Sequence, residues 1–270
     1  MKPAPFAYAA AQSVDEALAL LSEGGEEARP LAGGQSLVPM LNFRLARPAL
    51  LVDLNPVDEL AGIAVPEDQS LRIGAMTRQA SLLRSAVVGR RWPLLTQAVA
   101  HVGHAATRSR GTIGGSVAHA DPKAELPVAL TALDARFRVR SRERGARTLA
   151  AAEFFAGPFT TALRDDELLV AIEVPAPPRH TRMAFAEYAR THGDFAVAGV
   201  AVVVAPGGHA ALALLGADAV PVRAHAAERA LRDGAAAPEV ARLAAAGVAD
   251  DHRRALISAL TERALRTLSS

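Results

Sequence analysis

An α+β fold is the class this 270-residue chain predicts, on three observations. Helices with readable start signals alternate with short strands as far as a proline cluster at 175–178. Glycine pairs punctuate that alternation, and beyond the prolines long apolar runs give way to amphipathic helices. Half of the residues are hydrophobic, enough for one large or two modest domains with proper cores.

Taken in order, "SVDEALALL" opens a helix: Ser13 is an N-cap, Glu16 completes a capping box, and Val14, Leu18 and Leu21 share a face until Gly24-Gly25 ends it. "ARPLAGGQSLVPMLNFRLARPALLVDLN" reads as a strand to Ala32, a glycine turn, a helix from Ser36 to Leu45, and a buried strand "LLVDL". Pro39 is tolerated because it falls in the first helical turn. From Glu59 to Pro175 come strands at "AGIAV" and "LRIGA", a helix from Thr77, another over "PLLTQAVAHV", strands in "RFRVRS" and "ARTLA" around a solvated basic turn, and a last strand "ELLVAIEVP". The prolines that follow are the best boundary in the chain. After them, "MAFAEYAR", "DFAVAGVAVVVA" and "HAALALLGA" predict an antiparallel meander turning at Pro206-Gly207-Gly208. Two or three amphipathic helices finish the chain, the last with an apolar stripe through Ile257, Leu260, Ala264 and Leu268.

Composition removes several functions. Thirty Lys and Arg stand against 28 Asp and Glu, and the net charge of +2 is scattered, so nucleic acid and acidic membranes are not indicated as partners. The absence of cysteine excludes thiol nucleophiles, iron–sulfur ligation and cysteine-based zinc sites, so redox chemistry here must use a bound organic cofactor. No apolar run is long enough to span a membrane, and the chain is expected to be cytoplasmic. The eight histidines show no His-Glu-x-x-His spacing and no Gly-x-Ser-x-Gly is present, so neither a metal site nor hydrolase chemistry is expected.

Two glycine segments carry the chemistry: "AGGQS" over Ala32, Gly33, Gly34, Gln35 and Ser36, and "GTIGGS" with Thr112, Ile113, Gly114, Gly115 and Ser116. In the first, a strand runs into glycines and Ser36 then caps a helix, so free N–H groups face one point and make an anion site. In the second, hydroxyls and the amides around Gly114-Gly115 would form a second donor cluster, a backbone nest. Either alone is an ordinary turn; together they imply one elongated ligand with two phosphates. Neither matches a P-loop or a Rossmann fingerprint.

These two stretches, in the longer forms "AGGQSLVPMLNFRLARPALLVDLN" and "RSRGTIGGSVAHADPKAELP", resemble the FAD-binding segments of the medium, flavin-carrying subunit of molybdenum hydroxylases, the carbon monoxide, xanthine and aldehyde dehydrogenase group. "RTHGDFAVAGVAV" is similar to a third segment of that family, and the likeness covers nearly the whole chain. It implies a vanillyl-alcohol-oxidase (PCMH)-type FAD-binding domain over 1–176, in subdomains of about 1–56 and 57–176, and a small C-terminal α+β domain over 177–270. By the same resemblance, Ala32 to Leu37 and Thr112 to Ser116 wrap the pyrophosphate and its neighbouring sugar groups, and Asp121 and Glu125 accept from FAD hydroxyls as carboxylates. Leu169 packs on the flavin ring. Phe195 either covers one ring face or is a core residue of the C-terminal domain; Asp194 is a flavin-proximal acid or a turn former. His104 and His119 flank the second segment, and no protein base is required of them when the redox partner is a metal cluster. No catalytic residue is expected in this chain.

The implied role is electron transfer: FAD here collects electrons from [2Fe–2S] clusters of a small subunit, a large subunit carries the molybdenum cofactor, and the complex is a dimer of such heterotrimers. A stand-alone FAD-dependent oxidase or dehydrogenase is the alternative, though no polar constellation for its substrate is evident. A scaffold that has lost FAD sits poorly with two intact glycine segments. Gly114→Val is expected to abolish FAD retention with the fold largely intact.

Overall fold

The computed structural model describes residues 2–269. Its N-terminal layer is a parallel sheet in the order Ala7–Ala10, Leu50–Asp53, Ala28–Leu31. Parallel neighbours need crossovers, and helix Val14–Gly24 supplies the first. Ser13 Oγ accepts from the Glu16 N–H at 3.1 Å, the Glu16 carboxylate accepts from the Gln12 N–H at 2.7 Å, and Val14, Ala17, Leu18 and Leu21 turn inward. The second expected helix is shorter than the sequence implies, Leu37–Asn42, and Ser36 makes no side-chain cap bond. It stops because Arg44 takes a left-handed φ of 58° and both Leu45 and Ala46 turn their N–H groups back to the Met40 carbonyl.

The second layer is an antiparallel sheet in the order Ile63–Ala64, Leu71–Gly74, Glu167–Val174, Arg136–Ser141, Gly145–Ala150. The basic run forms its outer hairpin, where Arg147 pairs with the buried Glu167 at 2.7 Å. Between the second and fourth of these strands in space, the chain builds short helices Gln79–Arg84, Ala86–Arg91, Pro93–His101, Ala105–Arg110, Ile113–His119 and Glu125–Ala132. The helix expected from Thr77 begins two residues late because Thr77 and Arg78 stay extended to pair with the segment around Thr112. Trp92 is fully buried among these helices and donates from Nε1 to the Pro175 carbonyl at 2.9 Å, a packing role.

Beyond the prolines, Arg182–Tyr188, Ala198–Ala205, His209–Leu215 and Val222–Arg223 make the meander. Its alternation is apolar on both sides. Met183, Ala201, Val203, Ala211, Ala213 and Leu215 join the core of the second layer. Ala184, Ala186, Val200, Val202, Leu212 and Leu214 face the closing helices His225–Arg232, Ala237–Ala245 and Asp251–Ser269, whose Ile257, Leu260, Ala264 and Leu268 are buried as the stripe predicts. One hydrophobic core therefore runs past the proline cluster without a break. Among the described residues no helix is long and apolar enough to cross a membrane.

Candidate cofactor site

The two glycine segments meet. A Cβ built on Gly33 would lie 2.3 Å from the Arg110 carbonyl oxygen and 2.8 Å from Gly111 Cα, so only glycine allows the first turn to rest on the backbone that leads into the second. A Cβ built on Gly115 would stand 3.5 Å from the Ala32 Cβ, so the second segment lies over the end of the first strand. A polar chain braces the junction. Asn55 Nδ2 donates to the Ala32 carbonyl at 3.0 Å, Arg78 Nη2 donates to Asn55 Oδ1 at 2.6 Å, and the same guanidinium reaches the Arg110 carbonyl through Nη1. Asp53, 8% exposed, accepts from Tyr8 Oη at 2.5 Å and from the Asn55 N–H at 3.0 Å. Burial alone would raise its pKa, but the hydrogen bonds from Tyr8 and Asn55 outweigh it and hold the carboxyl below the ordinary range, so Asp53 stays ionised. Sequence reasoning missed this brace; its one signal is the polar pair "DLN" closing an otherwise apolar strand.

The segments differ in what they offer. Gly34 takes a φ of 73°, and among the described residues the N–H groups of Gly33, Gly34, Gln35 and Ser36 donate to no protein acceptor. Four successive open donors on one turn are what a pyrophosphate needs. The second segment is not the expected nest. Thr112 caps a helix, Ile113–His119, by accepting from the Gly115 N–H at 3.0 Å, while Ile113 donates to Thr77, Gly114 to Ala75 at 2.8 Å and Ser116 to the Thr112 carbonyl. Four of its five amides are spent on the fold; among the described residues only the Thr112 N–H donates to no protein acceptor. A Cβ on Gly114 would meet Ala75 Cβ at 2.5 Å, so this glycine is required by a neighbouring strand end, and Gly114→Val strikes protein before it reaches any ligand. That corrects the expectation of an intact fold in this variant.

Asp121 closes a turn, accepting from the Lys123 N–H at 2.9 Å. Glu125 departs from its expected form. It is 6% exposed at the start of its helix, and burial first, with Glu187 and Asp121 adding repulsion, pushes its pKa up to about 8. At neutral pH it is a carboxylic acid, able to donate as well as accept, rather than an acceptor-only carboxylate. Leu169 is 4% exposed and belongs to the main core. Phe195 is 63% exposed in the loop before Ala198–Ala205, so its reading as a core residue is set aside. That loop is pinned at the start of the Ala105–Arg110 helix: Gly193, with a φ of 85°, packs so tightly on the His104 ring that a Cβ would come within 2.4 Å of it. The His104 ring lies against Gly193 while the residue itself stays exposed, and His119 makes a tilted contact with Phe159, ring centroids 5.2 Å apart, while burial lowers its pKa.

A family model described as the FAD binding domain in molybdopterin dehydrogenase matches residues 4–177. The chain belongs to this family. Relatives of the family include the alpha subunit of the 6-hydroxypseudooxynicotine dehydrogenase complex of Paenarthrobacter nicotinovorans, 44% identical over 86% of this chain and 80% of its own. The carbon monoxide dehydrogenase medium chain of Hydrogenophaga pseudoflava is 42% identical over 77% of this chain and 72% of its own. A solved carbon monoxide dehydrogenase of the same organism superposes with a TM-score of 0.93 at 38% identity over 100% of this chain and 99% of that one. Quinoline 2-oxidoreductase of Pseudomonas putida 86 does so at 0.89 and 34% identity, over 100% of this chain and 98% of that one. The family fold is the PCMH-type FAD-binding domain followed by a small α+β domain, and the chain is an oxidoreductase, the FAD-carrying electron-transfer component of a molybdenum hydroxylase. The open donors of Gly33–Ser36 and the backbone contact behind them fit that cofactor.

Proposed function

We propose that the Gly33–Ser36 amides bind the FAD pyrophosphate, with Ala32 and Leu37 flanking them, and that Thr112 to Ser116 act as the rigid floor of this turn. Asp121 and the neutral Glu125 then serve hydroxyls of the cofactor, and Leu169 and Phe195 border the flavin ring. A cleft of about 300 Å³ lined by Asn55, Val57, Asp58, Ile63, Met76 and Thr77 adjoins the brace and is of a size and polarity to take the nucleotide end. In this reading residues 1–176 form the FAD-binding unit, in subdomains of about 1–56 and 57–176, and residues 177–270 close over it.

Bound flavin supplies the conversion between single electrons and electron pairs. The chain's own residues hold it, keep its phosphates on fixed donors and shape the path by which electrons from [2Fe–2S] clusters in a small partner subunit leave for an external acceptor. A large molybdenum subunit completes the complex, paired as a dimer of heterotrimers in the cytoplasm. The observation that carries the reading is the run of four unpaired amides pressed onto the second glycine segment.

Ser36→Pro tests it. Proline removes an N–H that no acceptor among the described residues uses, so the apo-chain should keep its melting temperature while FAD affinity falls about 10- to 100-fold, the worth of one hydrogen bond to a charged group. Equal FAD affinity in the variant and the parent, read by flavin fluorescence titration, contradicts the assignment.

A further inference from the structure

Three titratable side chains converge where the helices of the second layer meet the C-terminal sheet. His101 ends the Pro93–His101 helix, Glu187 lies on the Arg182–Tyr188 strand, and Glu125 begins the Glu125–Ala132 helix. His101 Nδ1 stands 3.1 Å from Glu187 Oε1; the histidine side chain is 39% exposed and the glutamate side chain 5%. The ring is steadied by Phe185, 5.6 Å away between centroids. Glu187 Oε2 is buried and has no hydrogen-bond partner among the described residues. Glu125, equally buried, is within electrostatic reach of both Glu187 and His101; Asp121 faces it from the preceding turn and Arg263 faces His101 from the closing helix. The hydrogen bond from Glu187 raises the His101 pKa despite partial burial.

An ion pair built only to tie helix to sheet would bond both carboxylate oxygens, because a buried acceptor left unmade costs about 1–3 kcal/mol. This cluster instead leaves one oxygen open and keeps a neutral acid beside it. The order of exposure is graded: His101 touches solvent, Glu187 is dry, and Glu125, dry too, opens the helix that follows the second glycine segment in the chain.

A hydride donor brings its own proton, whereas a metal cluster delivers bare electrons. A flavin that stores two electrons from clusters as its neutral hydroquinone takes up two protons as well, and these come in the end from solvent. We propose that His101, Glu187 and Glu125 form the proton path from solvent to the flavin. The inference rests on the FAD reading above. Glu125 gives up its proton as electrons arrive; the Glu187 carboxylate takes a proton from protonated His101 and passes it from its open oxygen to the Glu125 carboxylate, directly or across one water, and His101 takes a fresh proton from solvent. Two protons enter per electron pair; when a hydride leaves for the acceptor, the remaining proton returns by the same residues and the chain is unchanged.

The test uses the complex with its partner subunits. The FAD-to-protein ratio is measured first by absorbance; then proton uptake on reduction is followed by stopped flow in weak buffer with a pH-indicator dye. Glu187→Gln and His101→Ala should keep the parent FAD content and slow proton uptake by about 10²-fold, the low end of what a positioned proton-transfer group contributes. Added imidazole should restore the rate in His101→Ala only. Undiminished uptake in either folded, FAD-loaded variant overturns the path. Parent complex without FAD would instead overturn the cofactor reading, and the path with it. A protonated-carboxyl infrared band in the parent near neutral pH, lost in Glu125→Gln, gives a readout independent of turnover; its absence from the parent also overturns the path.

Discussion

At the scale of single residues, the cofactor region is decided by atoms that are missing. Gly33 and Gly114 both exist to let backbone touch backbone, but against different partners: Gly33 against Arg110 and Gly111, Gly114 against Ala75. Gly114→Val should therefore lower apo-chain stability by about 3 kcal/mol or more, at or beyond the usual range for overpacking, and urea denaturation that finds parent-like stability would show that the strand end gives way. Glu125 makes a second prediction, about pH. Its folded pKa of about 8 lies above its ordinary 4.5, so the folded state binds a proton that the unfolded chain releases. Stability contributed by the neutral acid is full below 4.5 and is lost as pH rises to about 8, with a limiting slope of ~1.4 kcal/mol per unit. His101, also raised, acts in the same direction. The parent should lose stability over this window faster than Glu125→Gln; parallel curves would mean that Glu125 is ionised in the fold.

Among the elements, helix Val14–Gly24 and the apolar strands of the meander were legible because local signals and tertiary packing agree there: Ser13 caps, and the apolar positions are the buried ones. The Ile113–His119 helix was not legible as a helix. Adjacent glycines are poor helix formers, and what overrides propensity is the close approach to Ala75 and the Thr112 cap, neither visible along the chain. The same holds for the Asn55 and Arg78 brace, whose partners are distant in sequence, and for Glu125, since an acid in a first turn ordinarily reads as a solvated partner of the helix dipole. Family resemblance located the site; only the fold separates donors that are open from donors that are used. Thr112→Ala should cost about 1 kcal/mol through loss of the cap, with more if Gly115 is left unbonded, and thermal denaturation of the apo-chain checks it.

For the whole molecule, the proline cluster separates sequence patterns without separating cores. Residues on both sides of it pack together, and Arg223 binds Asp134 at 2.6 Å on one side and the buried Glu228 at 2.5 Å on the other. Arg223→Met should strand the Glu228 charge and destabilise by about 3 kcal/mol, and a chain cut after residue 176 should expose apolar helix faces and aggregate; a monomeric, cooperatively melting 1–176 fragment would show that the two parts fold independently. The Gly33 contact with Arg110 and Gly111 has a last consequence, for the order of events in biogenesis. The open amides are aimed by a floor that the ribosome delivers much later, and such distant pairing is slow to form. A nascent chain that has emerged only through the first sheet holds no formed cradle, so cofactor loading waits at least until the second glycine segment has left the ribosome and folded against the first.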